Sequence, residues 1–260
     1  MKSELAHIHQ DAKLGENVIV EPFAYIEDNV VIGDGTRIRS GARILDGSRI
    51  GKNCDIHPGA VIAGIPQDLK FVGEETTAEV GDHTTVRECA TINRGTKARG
   101  KTSVGDHCLL MAYSHIAHDC EIGNYVIIGN TSQIAGEVKI DDHAILSAAC
   151  LVHQFVHIGG HVMMQGGSKV TKDVPPYIIA AREPLVYSGL NVIGLRRRGF
   201  SNEQVREIQD VYRYLYQRGM NNSDACDVIE SDLPMTDERE IILDFVRSSK
   251  RGVIKGYTTR

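Results

Sequence analysis

The side chains in this chain best suited to moving a proton near neutral pH are its 11 histidines. Imidazole is the one group that titrates there without special tuning. Two of them fall in Ser114-His115-Ile116-Ala117-His118-Asp119-Cys120. His115 and His118 straddle a corner of the repeat described below, and the adjacent Asp119 can orient the His118 ring. That spacing supports either an acid–base pair or a polar edge at a subunit contact. His107, His143 and His161 recur instead at one place in the repeat, separated by 36 and 18 residues. Side chains set one coil apart stand about 5 Å from each other in a flat column, which is poor geometry for converging zinc ligands. The six cysteines form no CxxC pair. Cys54, Cys108, Cys120 and Cys150 occupy the small corner position of the repeat and read as compact hydrophobes, while Cys89 and Cys226 lie off it. Neither a metal nor a cofactor is expected.

Two polar stretches carry further candidates. The run from Gly64 to Phe71, followed by Glu74-Glu75-Thr76-Thr77, gathers Gln67, Asp68 and Lys70. A loop thrown out from a rigid scaffold either contacts substrate or is a solvated excursion. The stretch from Asn93 to Lys101 is basic and glycine-rich. It meets an anionic ligand or stands as a mobile solvated hairpin, and its composition favours the hairpin.

These groups must be positioned by a coil. Stepping by six from residue 8 to residue 170 visits 28 positions, and 25 of them are Ile, Leu, Val or Met, where chance would give about seven. A period of six belongs neither to a helix nor to a flat strand. It fits short strands separated by turns, with the large residue on the axis and a small one at the corner. The exceptions, Asp68, Glu74 and Ala98, lie in the two polar stretches, which must leave the coil as loops.

Past Val174 the phase stops at Pro175-Pro176, and a linker is expected from Tyr177 to Gly199. Ser201 with Gln204 then reads as a capping box opening a helix whose buried face is Val205, Ile208, Val211, Tyr212 and Leu215, closed by Gly219. Shorter helices are expected around 223–231 and 236–249. The fold is therefore mainly β, with a repeat domain over residues 1–190, excursions at about 64–79 and 93–103, and a helical domain over 191–260.

The formal net charge of -5 argues against nucleic acid as the main partner. Trp is absent and aromatics are only 5%, as a narrow axis demands. No apolar run reaches the roughly 18 residues of a membrane span, and the N-terminus lacks a signal-peptide core, so a cytoplasmic protein is expected.

Five blocks occur in order: Gln67-Asp68-Leu69-Lys70, His115 to Cys120, Val152-His153-Gln154-Phe155, Asp173-Val174-Pro175-Pro176-Tyr177, and Gly194-Leu195-Arg196-Arg197-Arg198-Gly199-Phe200. On these the sequence resembles, over essentially its whole length, the UDP-N-acetylglucosamine 3-O-acyltransferases, the acyl-carrier-protein-dependent enzymes that begin lipid A synthesis. The resemblance implies a left-handed parallel β-helix, a homotrimer, and active sites in the clefts between subunits. The period alone does not give the hand. By the same resemblance His118 is the general base that removes the proton from the sugar 3-hydroxyl, and the alkoxide attacks the thioester of a 3-hydroxyacyl chain on acyl carrier protein. Gly136 supplies the backbone N–H for the oxyanion, Asp119 orients His118, and His115 lines the pocket. Gln67, Asp68 and Lys70 hold the glucosamine and phosphates of UDP-N-acetylglucosamine. His153, Gln154, Asn191, Arg197 and Arg198 contact the sugar nucleotide, guanidinium forks being natural clamps for pyrophosphate. Gly166 matches the residue that limits acyl-chain length, and glycine there implies an open groove and a long 3-hydroxyacyl donor.

Three positions depart from the pattern: Asn93 and Glu137 stand where a well-known member has histidines, and Ile193 where it has a glutamate. Neighbouring readings are less consistent with the blocks. The enzymes that acylate the amine of a glucosamine nucleotide carry an extra N-terminal uridine-binding domain, whereas this repeat begins at Ile8. Acetyl-coenzyme A transferases share the hexads but not the Gln67-to-Lys70 loop or the helical cap. A zinc carbonic anhydrase on such a coil needs a histidine trio between subunits, and a non-catalytic scaffold would be indifferent to His118→Ala. The helical cap is expected to meet the acidic carrier protein through Arg213, Arg218, Arg247, Lys250 and Arg251, although residues 190–260 hold 12 Lys/Arg against 11 Asp/Glu.

Overall fold

The computed structural model describes residues 1–256. The hexads wind into a stack of coils in which every third strand joins the same sheet, giving three flat walls of 9, 8 and 11 strands. Nearly all pairing is parallel, and the registers keep hexad positions in line: Ile92, Ile116, Ile134 and Val152 stack one above another. Their side chains, with Ile122, Ile128 and Ile140, are withdrawn from solvent and fill the axis. Burying each such aliphatic side chain contributes about 2 kcal/mol, so the stack is stiff without one thick core. Corners are turned by residues in the left-handed region, among them His107, Asp119, Glu137 and His161.

The chain leaves the coil where expected, between the strands Val61–Gly64 and Thr77–Val80 and between Thr91–Asn93 and Lys101–Val104. The second excursion is not a solvated hairpin. Gly95 and Thr96 are buried, and the two excursions are tied together. Thr76 Oγ1 donates to Gly95 O at 2.6 Å, Lys97 N donates to Glu74 Oε1 at 3.1 Å, and the Arg94 guanidinium lies 5.5 Å from the Phe71 ring centre. Its basic composition misled because the charged tips of Lys97 and Arg99 face outward while the peptide groups between them point inward.

The expected linker after Val174 is also structured. Ile178–Ala181 pairs in parallel with Met163–Met164 and then turns back antiparallel into Val186–Leu190. Pro175-Pro176 breaks the six-residue count, but the strand ladder continues past it. Four helices follow: α1 (Val192–Arg197), α2 (Asn202–Gln217), α3 (Asn222–Asp232) and α4 (Asp237–Ser248). The Ser201/Gln204 capping box is present, and α2 buries the five residues expected of it. Tyr212 donates its hydroxyl to Pro176 O at 2.6 Å, which plugs the end of the coil. After α4 the chain returns to the wall, Lys255–Gly256 pairing with Val186–Tyr187.

Candidate active site

His118 is 7% exposed, and Asp119 is wholly buried behind it. His118 Nδ1 lies 2.8 Å from Asp119 Oδ2. A carboxylate only accepts, so Nδ1 carries the proton and Nε2 presents its lone pair away from Asp119. On that side, Gly136 approaches the ring so closely that a Cβ there would lie 2.6 Å from His118 Cε1 and Nε2. Glycine is required at 136 by this close approach. The Gly136 N–H has no hydrogen-bond partner among the described residues, which suits it to receive an anionic oxygen.

One cleft of about 900 Å³ is lined by Gln67, Asp68, Lys70, His115, His118, Gly136, His153 and Gln154. The first excursion forms its lid, and Asp68 Oδ2 comes within 4.0 Å of His118 Nε2. Asn93 explains how that lid is held: its buried side-chain amide donates to Ile65 O at 3.1 Å. His115 Nδ1 lies 2.7 Å from Thr91 Oγ1, one coil below. Burial holds the His115 imidazole below its usual range, so near neutral pH it lines the wall as an uncharged group. Thr91 escapes sequence reading, because nothing in a hexad distinguishes one wall threonine from another, and Asn93 shows there only as a departure from the family pattern.

Asn191, Arg197 and Arg198 are not in this cleft. With Ile193 they line a separate cavity of about 680 Å³, whose floor is Ile145, Met163 and Ile179. Asn191 caps α1, accepting from Gly194 N at 3.2 Å and donating to His161 O at 2.9 Å. Arg198 donates to His143 O at 3.2 Å, and its buried Nη1 has no partner among the described residues. The floor belongs to an outward column, Leu109, Ile127, Ile145, Met163 and Ile179, which runs in register up one wall. Gly166 lies on the coil above Ala148, where a Cβ would meet Ala148 O at 3.1 Å. Glu137 sits beside Gly136 and donates its N–H to His118 O, while the Ile193 side chain is exposed.

Other candidates resolve into structure. His83, His107, Tyr125, His143 and His161 form a continuous stack with ring centres 4.8, 4.8, 4.8 and 4.9 Å apart. The rings lie over one another instead of converging, and no group of three or more His, Cys, Asp or Glu among the described residues could hold a metal ion. A groove of about 860 Å³ on another wall is bordered by Gly51, Gly81, Gly105 and Gly123. Those glycines make room for the next coil: a Cβ on Gly51, Gly81 or Gly123 would strike the Asp above it, and one on Gly105 would strike Asn124. All six cysteines are free, and burial pushes the Cys120 thiol up to about 12. Of the cap cations, Arg213 pairs with Asp210, Arg247 with Asp227 and Glu230, and Arg218 lies over Tyr214.

A stacked hexapeptide coil closed by a helical cap is the architecture of the hexapeptide-repeat proteins. The family model for bacterial transferase hexapeptide repeats matches residues 11–46, 29–64 and 101–136, and that for domain 2 of UDP-N-acetylglucosamine O-acyltransferase matches residues 173–254. The acyl-[acyl-carrier-protein]–UDP-N-acetylglucosamine O-acyltransferase of Chlorobaculum tepidum is 53% identical over 244 residues, 94% of this chain and 92% of its own. That of Thermodesulfovibrio yellowstonii is 40% identical over 251 residues, 96% and 97% of the two chains. The crystal structure of a UDP-N-acetylglucosamine acyltransferase from Bacteroides fragilis, 58% identical, superposes with a TM-score of 0.97 over 98% of this chain and 100% of that one. The chain belongs to the UDP-N-acetylglucosamine O-acyltransferase family, and its coil is a left-handed parallel β-helix.

Proposed function

We propose that this protein transfers a 3-hydroxyacyl chain from acyl carrier protein to the 3-hydroxyl of UDP-N-acetylglucosamine, the first step of lipid A synthesis, with His118 as general base. His118 Nε2 takes the proton of the sugar 3-hydroxyl as that oxygen attacks the thioester carbonyl. The tetrahedral oxyanion accepts from the Gly136 N–H. Collapse expels the carrier thiolate, which recovers the proton from Nε2. Gln67, Asp68, Lys70 and His115 position the glucosamine, and His153 and Gln154 border its nucleotide. The observation that carries this reading is the His118 imidazole, fixed at Nδ1 by Asp119 and set against Gly136 in a cleft of about 900 Å³.

The family's site residues fall in two cavities of a single chain. A homotrimer resolves that separation, because the Asn191, Arg197 and Arg198 cavity of one copy then faces the His118 cleft of the next. The outward column from Leu109 to Ile179 supports it, since an apolar stripe on a coil wall asks to be covered. In this reading residues 1–190 build the cleft and residues 191–260 complete a neighbour's. The carrier protein approaches the upper end of the cleft. There Lys169 and Thr171 border both the cleft and a cavity of about 400 Å³ that also touches Lys172 and Lys255. Gly166, on the same coil, leaves room for a long acyl chain. No described helix is long and apolar enough to cross a membrane, and a carrier-protein substrate supports a cytoplasmic enzyme.

The test is mass spectrometry of the product formed from UDP-N-acetylglucosamine and a mixture of acyl carrier protein thioesters. The expected product is a single 3-O-(3-hydroxyacyl) nucleotide, and His118→Ala should fold normally while losing about 10²–10⁴ in kcat. A His118→Ala enzyme of unchanged rate would defeat the reading.

A further inference from the structure

We propose that Thr96, in the second excursion, is a positioning residue for acyl transfer, acting through Asp119 on His118. The inference rests on His118 and Asp119 forming the proton-transfer pair described above. A carboxylate offers about four lone-pair sites, and here each has a donor. Oδ1 accepts from Thr96 N at 3.0 Å and from Arg99 N at 3.1 Å. Oδ2 accepts from Thr96 Oγ1 at 2.7 Å and from His118 Nδ1 at 2.8 Å. Three of the four donors come from the excursion and one from the imidazole. The Asp119 N–H is in turn fixed by Thr102 Oγ1 at 2.8 Å.

This arrangement restrains the one rotation that matters. A carboxylate held only by an imidazole can turn about its Cβ–Cγ bond and carry the ring with it. Two donors on Oδ1 and a hydroxyl on Oδ2 fix that torsion, so the Asp119 Oδ2 lone pair and His118 Nδ1–H stay aligned and Nε2 stays aimed into the cleft. Thr96 supplies two of the three restraining donors, one from its peptide and one from its side chain. It does not line the cleft, so its loss should reach the chemistry without reaching the substrate. The excursion's basic tips, Lys97 and Arg99, are incidental to this role: Arg99 pairs with Glu121 and serves the clamp through its peptide N–H.

The test compares Thr96→Val, Thr96→Ala and Thr96→Ser in the full-length enzyme, each also in the Asp119→Asn background. The hydroxyl donates to a charged acceptor, so Val and Ala should each lower kcat about tenfold to a hundredfold. KM for UDP-N-acetylglucosamine should stay within about twofold, and Ser should restore most of the rate. In the Asp119→Asn background the same substitutions should cost less than about twofold more, because the carboxylate they act through has gone. Thr96→Ala guards against a Val variant that fails to fold from placing a methyl beside the carboxylate. Wild-type kcat in Ala, a loss confined to KM, no rescue by Ser, or an undiminished loss in the Asp119→Asn background would each overturn the proposal. If Asp119→Asn alone retained full activity, the proton-transfer pair itself would be wrong, an outcome distinct from failure of Thr96.

Discussion

Gly136 and His118 touch with no room between them: a methyl on the glycine would lie 2.6 Å from two atoms of the imidazole. One residue thus fixes both the amide proposed for the oxyanion and the plane of the proposed base. Gly136→Ala should force the ring off Asp119 and lower kcat at least about a hundredfold, with a stability cost of about 1–3 kcal/mol from overpacking. Steady-state kinetics beside a urea melt check this, and an Ala variant within fivefold of wild type would contradict it.

The proposed division of the site between two copies makes a sharp demand on assembly. His118→Ala and Arg197→Ala should each be nearly inactive alone. Co-refolded, they should regain a substantial fraction of wild-type activity, since some clefts then pair an intact His118 with an intact Arg197 from a neighbour. Ile145→Glu, which charges the apolar column, should lower the oligomer mass by light scattering and lose activity with it. No recovery in the mixture would argue that each chain works by itself.

Carrier docking should depend on lysines at the top of the cleft more than on arginines of the cap. Arg213 and Arg247 already have carboxylate partners. Lys172→Glu with Lys255→Glu should raise KM for the acyl carrier protein about tenfold or more, and the effect should weaken with salt. Arg213→Glu with Arg247→Glu should do less. The reverse order of effects would move the docking surface onto the helices.

Gly166 is exposed on the wall, and a Cβ there would lie 3.1 Å from Ala148 O, so a side chain would crowd the coil below and stand out from the wall. Gly166→Leu should shift the donor preference toward shorter acyl chains while leaving KM for the sugar nucleotide unchanged. A competition assay over a ladder of acyl thioesters reads this directly, and an unaltered preference would remove Gly166 from the acyl path.

Burial, with Arg198 and His143 nearby, holds the His161 imidazole down at about 4. The unfolded chain binds that proton near pH 6.5. The resulting stability is therefore complete above about pH 6.5 and is lost as pH falls toward 4. His161→Phe, which keeps a ring in the stack, should lose less stability than wild type between pH 7 and pH 5 in urea titrations. Equal losses would assign the acid sensitivity elsewhere.

Much of this molecule is written in one dimension. The axis residues, the coil of short strands, both departures from it, the α2 cap and face, and the adjacency of His118 to Asp119 are all local or strictly periodic, so spacing alone reveals them. Tertiary structure decided what the departures do. The residues within each excursion belong to no hexad, so sequence could not say which residue of the later loop meets which residue of the coil. Only folding places Thr96 and Arg99 against Asp119, 23 and 20 positions away, hangs the lid on Asn93, and carries the strand ladder past Pro175-Pro176. The same is true of the separation between the two cavities. Asn191 and Arg197 stand on a different wall from His118 because a coil has three faces and a period of six does not say which face a late loop will join.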